Sequence, residues 1–357
     1  MSQPPFSKPK KTKRFLIPTI VLLLSAGAFY LWQKNENSLK NVPVIELRKF
    51  TAQRPLMGTL VALTVYAESS EQAQMAMSDA FQRGAEINQV ASDYLPDSEL
   101  TLFNTKQAHV WHDASDDFLT MIAYGLELAK LTNGAYDPTL GATTHLWRET
   151  KNAQTLPTTA TLDQALAQTG WQHIEVDLEK TRIRKLKNGI RLDLGGLAKG
   201  YTADEMLITI QQRNLKSALI VVGGDVRCSD PPPTQEGWII GLNDIRNDLA
   251  VTISVSNCAV STSGDLQQFV EIDGRRYSHI IDPSTGLGLN DSLLATVIAR
   301  NGLMADPLAT AACIDPTFFN KLPPATKIHS RILSAEQEQI SRGFPRFTPI
   351  ITTDNPE

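Results

Sequence analysis

Residues 60–67, LVALTVYA, alternate loosely between apolar and polar and are rich in Val and Thr, which predicts a half-buried strand. The period then lengthens. Over 70–91, Ala73, Met77, Ala80, Phe81, Ile87 and Val90 recur at helical spacing and predict an amphipathic helix. A second helix starts at Ser115 as N-cap, with Asp116 and Asp117 in its first turn, a stripe of Phe118, Ile122, Leu126 and Ala129, and a stop at Asn133-Gly134. TLDQALAQTG (161–170) reads as a short helix, and 171–193 as a hairpin or meander with a turn at Lys187-Asn188-Gly189, in which Asp193 ends the strand IRLDL. A helix fits 198–214, and ALIVVGGD (218–225) is a buried strand that runs into glycines. GWIIGLND (237–244), LAVTISVS (249–256), CAVSTSG (258–264), RRYSHIID (275–282) and SLLATVIAR (292–300) predict further strands, and DPLATAACI (306–314) a helix. Past about 320, Pro and polar residues leave room for a weak strand or two. Helices and strands interleave without a βαβ rhythm, so the pattern predicts a single α+β domain over about 51–345 with a short C-terminal tail, 346–357.

The first fifty residues break this pattern. Residues 1–14 carry five positive charges and no acid, and 15–32, FLIPTIVLLLSAGAFYLW, are uncharged and mostly apolar. A basic cytoplasmic tail before a single membrane-spanning anchor is the expectation, with 33–50 as a polar linker and 35–55 as tether. The rival is a signal peptide cleaved near Ala26-Gly27-Ala28. With a net charge of −4 overall, the basic start leaves −9 for the remainder, which argues against nucleic acid as a partner. Cys228, Cys258 and Cys313 form no C-x-x-C pair and no metal spacing, and read as buried free thiols.

Candidate chemistry concentrates in LDLGGLAKGYTAD (192–204). Its lysine precedes the glycine, so it is not a G-x-x-x-x-G-K-[ST] phosphate loop, and it contains no G-x-G-x-x-G. Gly195 and Gly196 allow close backbone approach to a ligand, Lys199 follows near a helix start, and Asp193 needs a partner. Asp306 and Thr310 stand four apart. With Pro307 at the first helical position, Asp306 becomes an N-cap, and carboxylate and hydroxyl share one face, where hard oxygens suit Mg²⁺; a simple cap is the competing reading. His279, beside Asp282-Pro283, could accept a proton from a hydroxyl or could be structural. Ser263-Gly264-Asp265 lacks a G-x-S-x-G elbow, and GAYDPT (134–139) is by itself a turn.

Taken in order, MGTLVALTVY, SDYLPDSELTLFN, GAYDPTLGA, LDLGGLAKGYTAD, LIVVGGDV, VSTSGD, YSHIIDPSTG and ADPLATA resemble the successive motifs of the ApbE-type FAD:protein FMN transferases, over roughly residues 54–314. The resemblance implies an α+β unit related to tandem T-fold-like halves. It also implies Mg²⁺-dependent cleavage of the FAD pyrophosphate, with FMN passing through its phosphate to a Thr or Ser hydroxyl of a target flavoprotein and AMP released. Met57, Tyr94, Ala135, Tyr136, Asp137, Asp193 and Lys199 match positions that line FAD, with Ile280 near the flavin or phosphates. The Gly196 carbonyl, Asp306 and Thr310 match the metal ligands, and His279 and Asp306 are the candidates for the proton. Pro307 departs from the family's usual alanine, and an apolar segment stands where lipoprotein members carry a cysteine. The implied location is the periplasmic face of a bacterial inner membrane. An Mg²⁺-dependent FAD pyrophosphatase and a non-catalytic FAD-binding protein are the alternative functions.

Overall fold

The Val/Thr-rich run is the second arm of a hairpin. In the computed structural model, which describes residues 46–244, 251–265, 268–291, 293–323 and 326–349, β1 (Arg48–Leu56) pairs antiparallel with β2 (Thr59–Ala67) across a turn at Met57-Gly58, where both residues have positive φ. The strand β1 occupies part of the expected tether. It is an edge strand with mostly exposed side chains, so its ladder with β2 holds it, and no apolar alternation signals it. The basic tail, the apolar segment 15–32 and the C-terminal residues 350–357 lie outside the described residues. Among the described residues, no helix is long and apolar enough to cross a membrane.

The chain continues through α1 (Ser70–Ala91), α2 (Glu99–Asn104), β3 (His112–Asp113), α3 (Asp116–Leu131), α4 (Gly141–Ala153) and α5 (Thr159–Leu166). It then forms β4 (Ile174–Asp177), β5 (Arg182–Lys185), α6 (Ala198–Gln212), β6 (Ala218–Val222), β7 (Asp225–Cys228), β8 (Trp238–Leu242) and β9 (Val251–Val255). β10 (Cys258–Gly264), β11 (Phe269–Ile272), β12 (Arg275–Ser278), β13 (Leu293–Ala299), α7 (Gly302–Ile314), β14 (His329–Ser334), β15 (Glu338–Ile340) and β16 (Thr348–Pro349) complete it. Ser69 and Ser115 cap α1 and α3 by accepting from Gln72 N and Phe118 N.

Eight strands form one antiparallel sheet in the order β1-β2-β6-β7-β10-β13-β14-β15. Val61, Leu63, Val65 and Ala67 of β2 and Ala218, Ile220 and Val222 of β6 point to one face, against Ala73, Ala76, Met77, Ala80 and Phe81 of α1 and Ala203, Met206, Leu207 and Ile210 of α6. The alternate residues Tyr66, Leu219 and Val226 point the other way, onto Trp238, Ile240, Ile253 and Val255 of the β8–β9–β16 sheet. The period-2 and period-3.6 patterns thus meet in a helix–sheet–sheet sandwich.

Three expectations shift. The expected hairpin is β4–β5, turning at 178–181, and a further turn falls at Asn188-Gly189 as expected, but Asp193 does not end a strand: 190–194 is irregular but for a bridge of Arg191 to Leu140. The side chain of Asn104 replaces a strand partner there, donating to Leu192 O at 2.9 Å and accepting from Leu192 N at 2.7 Å. β12 stops at Ser278, so His279 and Ile280 lie beyond the strand. α7 begins at Gly302, capped by Asn301, which places Asp306 and Pro307 in its second turn and not at its start. The reason lies in Asp204 of α6, whose carboxylate accepts from Gly302 N and Leu303 N at 2.8 Å each and so extends the helix upstream of the proline. α2 and α4 were not predicted.

Candidate active site

α6 and α7 cross at glycine. A Cβ on Gly200 would sit 2.5 Å from the carbonyl carbon of Gly302 and 2.8 Å from Asp306 Cβ, so only hydrogen fits at this crossing. The close approach lets Gly200 N donate to Asp306 Oδ2 at 3.0 Å. From the same turn of α6, Lys199 Nζ reaches Asp306 Oδ1 and Oδ2 at 3.3 and 3.2 Å and Asp225 Oδ2 at 2.9 Å. Asp225 starts β7, immediately after the glycine pair 223–224 that turns the β6–β7 hairpin. One ammonium therefore bridges two carboxylates from separate elements, a strand start and a helix. Asp306 and Asp225 are 2% and 5% exposed.

Burial, reinforced by the Asp225 carboxylate, pushes Asp306 up to about 6 against the opposing pull of Lys199 and the Gly200 N–H. Burial works against the Lys199 charge too, yet Asp225 and Asp306 together hold the ammonium above its ordinary range. Two carboxylates facing one ammonium leave the cluster with a net negative charge, ready for a further cation.

One helical turn on, Thr310 Oγ1 lies 3.2 Å from Ser263 Oγ at the end of β10 and donates to Asp306 O at 3.4 Å. Gly196 packs against it, its Cβ position 3.3 Å from Thr310 Oγ1 and 3.6 Å from Tyr136 Cε2. Tyr136 is buried, and its hydroxyl has no hydrogen-bond partner among the described residues. Burial first, then Asp306, Asp193 and Asp137, drive its pKa well above normal, so it stays a neutral donor. An orphaned buried hydroxyl among carboxylates marks where a ligand atom would be accommodated. The donors Asp306, Thr310 and the Gly196 carbonyl are hard oxygens with a single carboxylate, a set that fits Mg²⁺ completed by water and phosphate oxygens. Among the described residues, no group of three His, Cys, Asp or Glu forms a carboxylate-rich metal cage.

Asp193 lies on the approach to this cluster. Its Oδ1 accepts from Gly195 N at 2.7 Å, and its Oδ2 is 3.8 Å from Arg148 Nη2. Arg148, on α4, also pairs with Asp93 and stacks 4.5 Å from the ring centroid of Tyr94, which is 76% exposed. Burial and the Asp193 charge raise Asp93, while Arg148 opposes them. Arg148 thus ties Tyr94, Asp93 and Asp193 into one wall.

His279 Nδ1 lies 3.2 Å from Gln268 O. Desolvation by the surrounding chain lowers its pKa, against the Gln268 hydrogen bond and with help from Lys199 and Lys151. A neutral ring that donates from Nδ1 to this carbonyl leaves Nε2 as a lone-pair acceptor.

The remaining expected residues are held by local contacts. Both carboxylate oxygens of Asp137 are engaged, Oδ1 by Thr139 N and Oγ1 at 2.8 and 2.6 Å and Oδ2 by Trp171 N at 3.2 Å, so it builds a turn. Ile280 is buried in the core with Tyr136 and Leu308, Ala135 is buried in the same loop, and Met57 accepts a 3.0 Å contact from Thr202 Oγ1. Asp225, Arg148 and Asp93 had no separate role in the sequence pattern, and Ser263, set aside for want of an elbow, meets Thr310 instead. Only Asp225 carried a signal, as an acid placed directly after Gly-Gly at a strand end.

Fold and site together define an α+β protein with a lysine-bridged pair of buried carboxylates beside an oxygen-donor corner, chemistry suited to a phosphate-bearing ligand. The chain belongs to the ApbE family, whose model matches residues 57–317. It is 31% identical over 235 residues to the FAD:protein FMN transferase of Vibrio cholerae serotype O1, covering 64% of this chain and 70% of that one. The solved flavin transferase ApbE from Vibrio cholerae superposes with a TM-score of 0.74 at 25% identity, over 83% of this chain and 98% of that one. The ApbE protein of Thermotoga maritima gives 0.74 at 29% identity, over 83% and 97%.

Proposed function

We propose that this chain is an FAD:protein FMN transferase that uses Mg²⁺ and attaches FMN, through its phosphate, to a Thr or Ser hydroxyl of a target flavoprotein. The observation that carries the reading is the half-buried Lys199 held between Asp225 and Asp306, beside Thr310, against which Gly196 packs. Asp306, Thr310 and the Gly196 carbonyl would hold the Mg²⁺, which when bound spreads the negative charge of the pyrophosphate. Lys199, kept charged by Asp225, places an ammonium where phosphate oxygens need one. Tyr136 offers its unpartnered hydroxyl as a donor. Asp193, an acceptor when ionised, takes N–H or O–H donors of the nucleotide, while Tyr94 presents an aromatic face.

His279 takes the proton of the attacking hydroxyl on Nε2, because Nδ1 is committed to Gln268 and the ring is neutral at pH 7. As the acceptor oxygen bonds to the FMN phosphorus, the bond to the bridging oxygen breaks and AMP leaves. The basic tail and apolar segment of the first 32 residues support an anchor in a bacterial inner membrane, with this domain on the periplasmic side.

The test uses the full chain with FAD, Mg²⁺ and an acceptor protein carrying an exposed Thr. A fluorescent acceptor band on a denaturing gel, dependent on Mg²⁺ and matched by AMP, is the expected result. AMP and free FMN without a labelled band would make the protein a pyrophosphatase, and intact FAD would make it a binder. Independently of turnover, Mg²⁺ should raise the thermal midpoint of the native chain and not that of Asp306→Ala.

A further inference from the structure

Cys228 and Cys258 face each other directly across the antiparallel β7–β10 pair. Opposed residues of such a pair bring their Cα atoms to roughly 4.5–5.5 Å, inside the roughly 4.4–6.8 Å that a disulfide spans. Both side chains enter the same core cluster, beneath Trp238 and Val255, and their sulfurs stand 3.9 Å apart. Cys313 belongs to a different cluster, with its thiol directed to Ser263 O at 3.4 Å. We propose that Cys228 and Cys258 are an oxidisable pair that closes to a cross-strand disulfide by thiol–disulfide exchange.

The two cysteines differ in access. Cys228 is fully buried and Cys258 is half-buried, so Cys258 is the sulfur that an incoming disulfide reaches. Its thiolate attacks one sulfur of a small-molecule disulfide and expels one thiolate, leaving a mixed disulfide at Cys258. Cys228 then attacks the Cys258 sulfur and expels the second thiolate. The pair gives up two electrons and two protons, and the oxidant becomes two thiols. The contact with Cys228, and then burial, raise the Cys258 thiol above its usual range, so entry at Cys258 is the slow step. The same contact draws the Cys228 thiol below its usual range against burial, and Arg227 adds to this. Cys228 is therefore suited to the resolving step.

The bond would join the two strands that each carry one site residue. β7 opens with Asp225, which holds Lys199, and β10 ends at Ser263-Gly264, where Ser263 meets Thr310. Arg227 already ties the strands together, donating Nη1 to Cys228 O at 2.7 Å and to Cys258 O at 3.0 Å while Nε bonds Asp204. A disulfide one residue away adds a covalent tie to the strand pair that carries Asp225, the partner of Lys199, and Ser263, the partner of Thr310.

The experiment incubates the reduced full chain with oxidised glutathione, alkylates remaining thiols in denaturant, and maps peptides without reduction. The expected product is two hydrogens lighter than the reduced chain, is alkylated only at Cys313, and yields a Cys228–Cys258 linked peptide that dithiothreitol splits. Cys228→Ser should instead retain glutathione on Cys258, because nothing resolves the mixed disulfide. Three alkylated cysteines, a link to Cys313, or a lasting glutathione adduct on the unmutated chain would overturn the proposal. The unmutated chain decides the matter even if the variant fails to fold.

Discussion

Replacing Gly200 by alanine should damage the fold and the site together, and the size of the effect can be worked from the α6–α7 crossing. The new Cβ would lie 2.5 Å from the Gly302 carbonyl carbon and 2.8 Å from Asp306 Cβ, whereas carbon atoms pack at roughly 3.5 Å or more. The obstacle on one side is backbone, which no rotamer change can move. The helices must part by about 1 Å, and overpacking of this kind costs about 1–3 kcal/mol. Alanine's better helix propensity returns about 1 kcal/mol at most. The same movement lengthens the 3.0 Å bond from Gly200 N to Asp306 and pulls Asp306 from Lys199. A misplacement of about 1 Å in an active site costs on the order of 100-fold in rate. Gly241→Ala serves as control, since a Cβ there meets nothing within 4 Å. Urea unfolding gives the stability difference, and gel fluorescence of a flavinylated acceptor gives the rate. A Gly200→Ala protein with unchanged midpoint and unchanged rate would refute the claim that this crossing sets the Asp306 geometry.

Other outcomes follow from named contacts. Asp204→Ala takes the carboxylate partner from Arg227 and from two helix N–H groups, a broken ion pair worth about 3 kcal/mol, and should lower the urea midpoint without changing which product forms. Arg148→Ala removes the support of Tyr94 and the counter-charge of Asp193; at an exposed ring this is about 0.5–1 kcal/mol, so KM for FAD should rise about 2- to 5-fold with kcat nearly constant. The lowered pKa of His279 places the acid limb of kcat/KM below the ordinary imidazole value of roughly 6.5. A limb at or above that value would remove His279 as the base, and His279→Gln should abolish it. The sign for stability is the same: the fold favours neutral His279, a contribution present above the unfolded-state value and lost as pH falls through the folded one.

Much of the architecture follows from local pattern. The alternation in β2 and the 3.6-residue stripe of α1 determine which faces are buried, because side-chain direction repeats with backbone geometry. The serine caps of α1 and α3 are equally local, since a cap needs only its own N-terminal turn. Strand β1 is not legible, because an edge strand with mostly exposed side chains is held by its partner's backbone. Nor is the start of α7: Asp306-Pro307 resembles a cap and first turn, but Asp204, about a hundred positions earlier, satisfies the upstream N–H groups and moves the helix start to Gly302.

The site divides in the same way. Asp193, Gly196, Lys199, His279, Asp306 and Thr310 stand out by residue type and motif order, and the sequence alone marks them as chemistry to be explained. Only the tertiary structure makes Lys199 the bridge between Asp225 and Asp306, commits Asp137 to a turn, and recruits Arg148 behind Asp193. Two glycines about a hundred residues apart must touch before an ammonium from one helix can reach a carboxylate on the other. Such a contact depends on how the helices cross, and no local run of residues specifies a crossing.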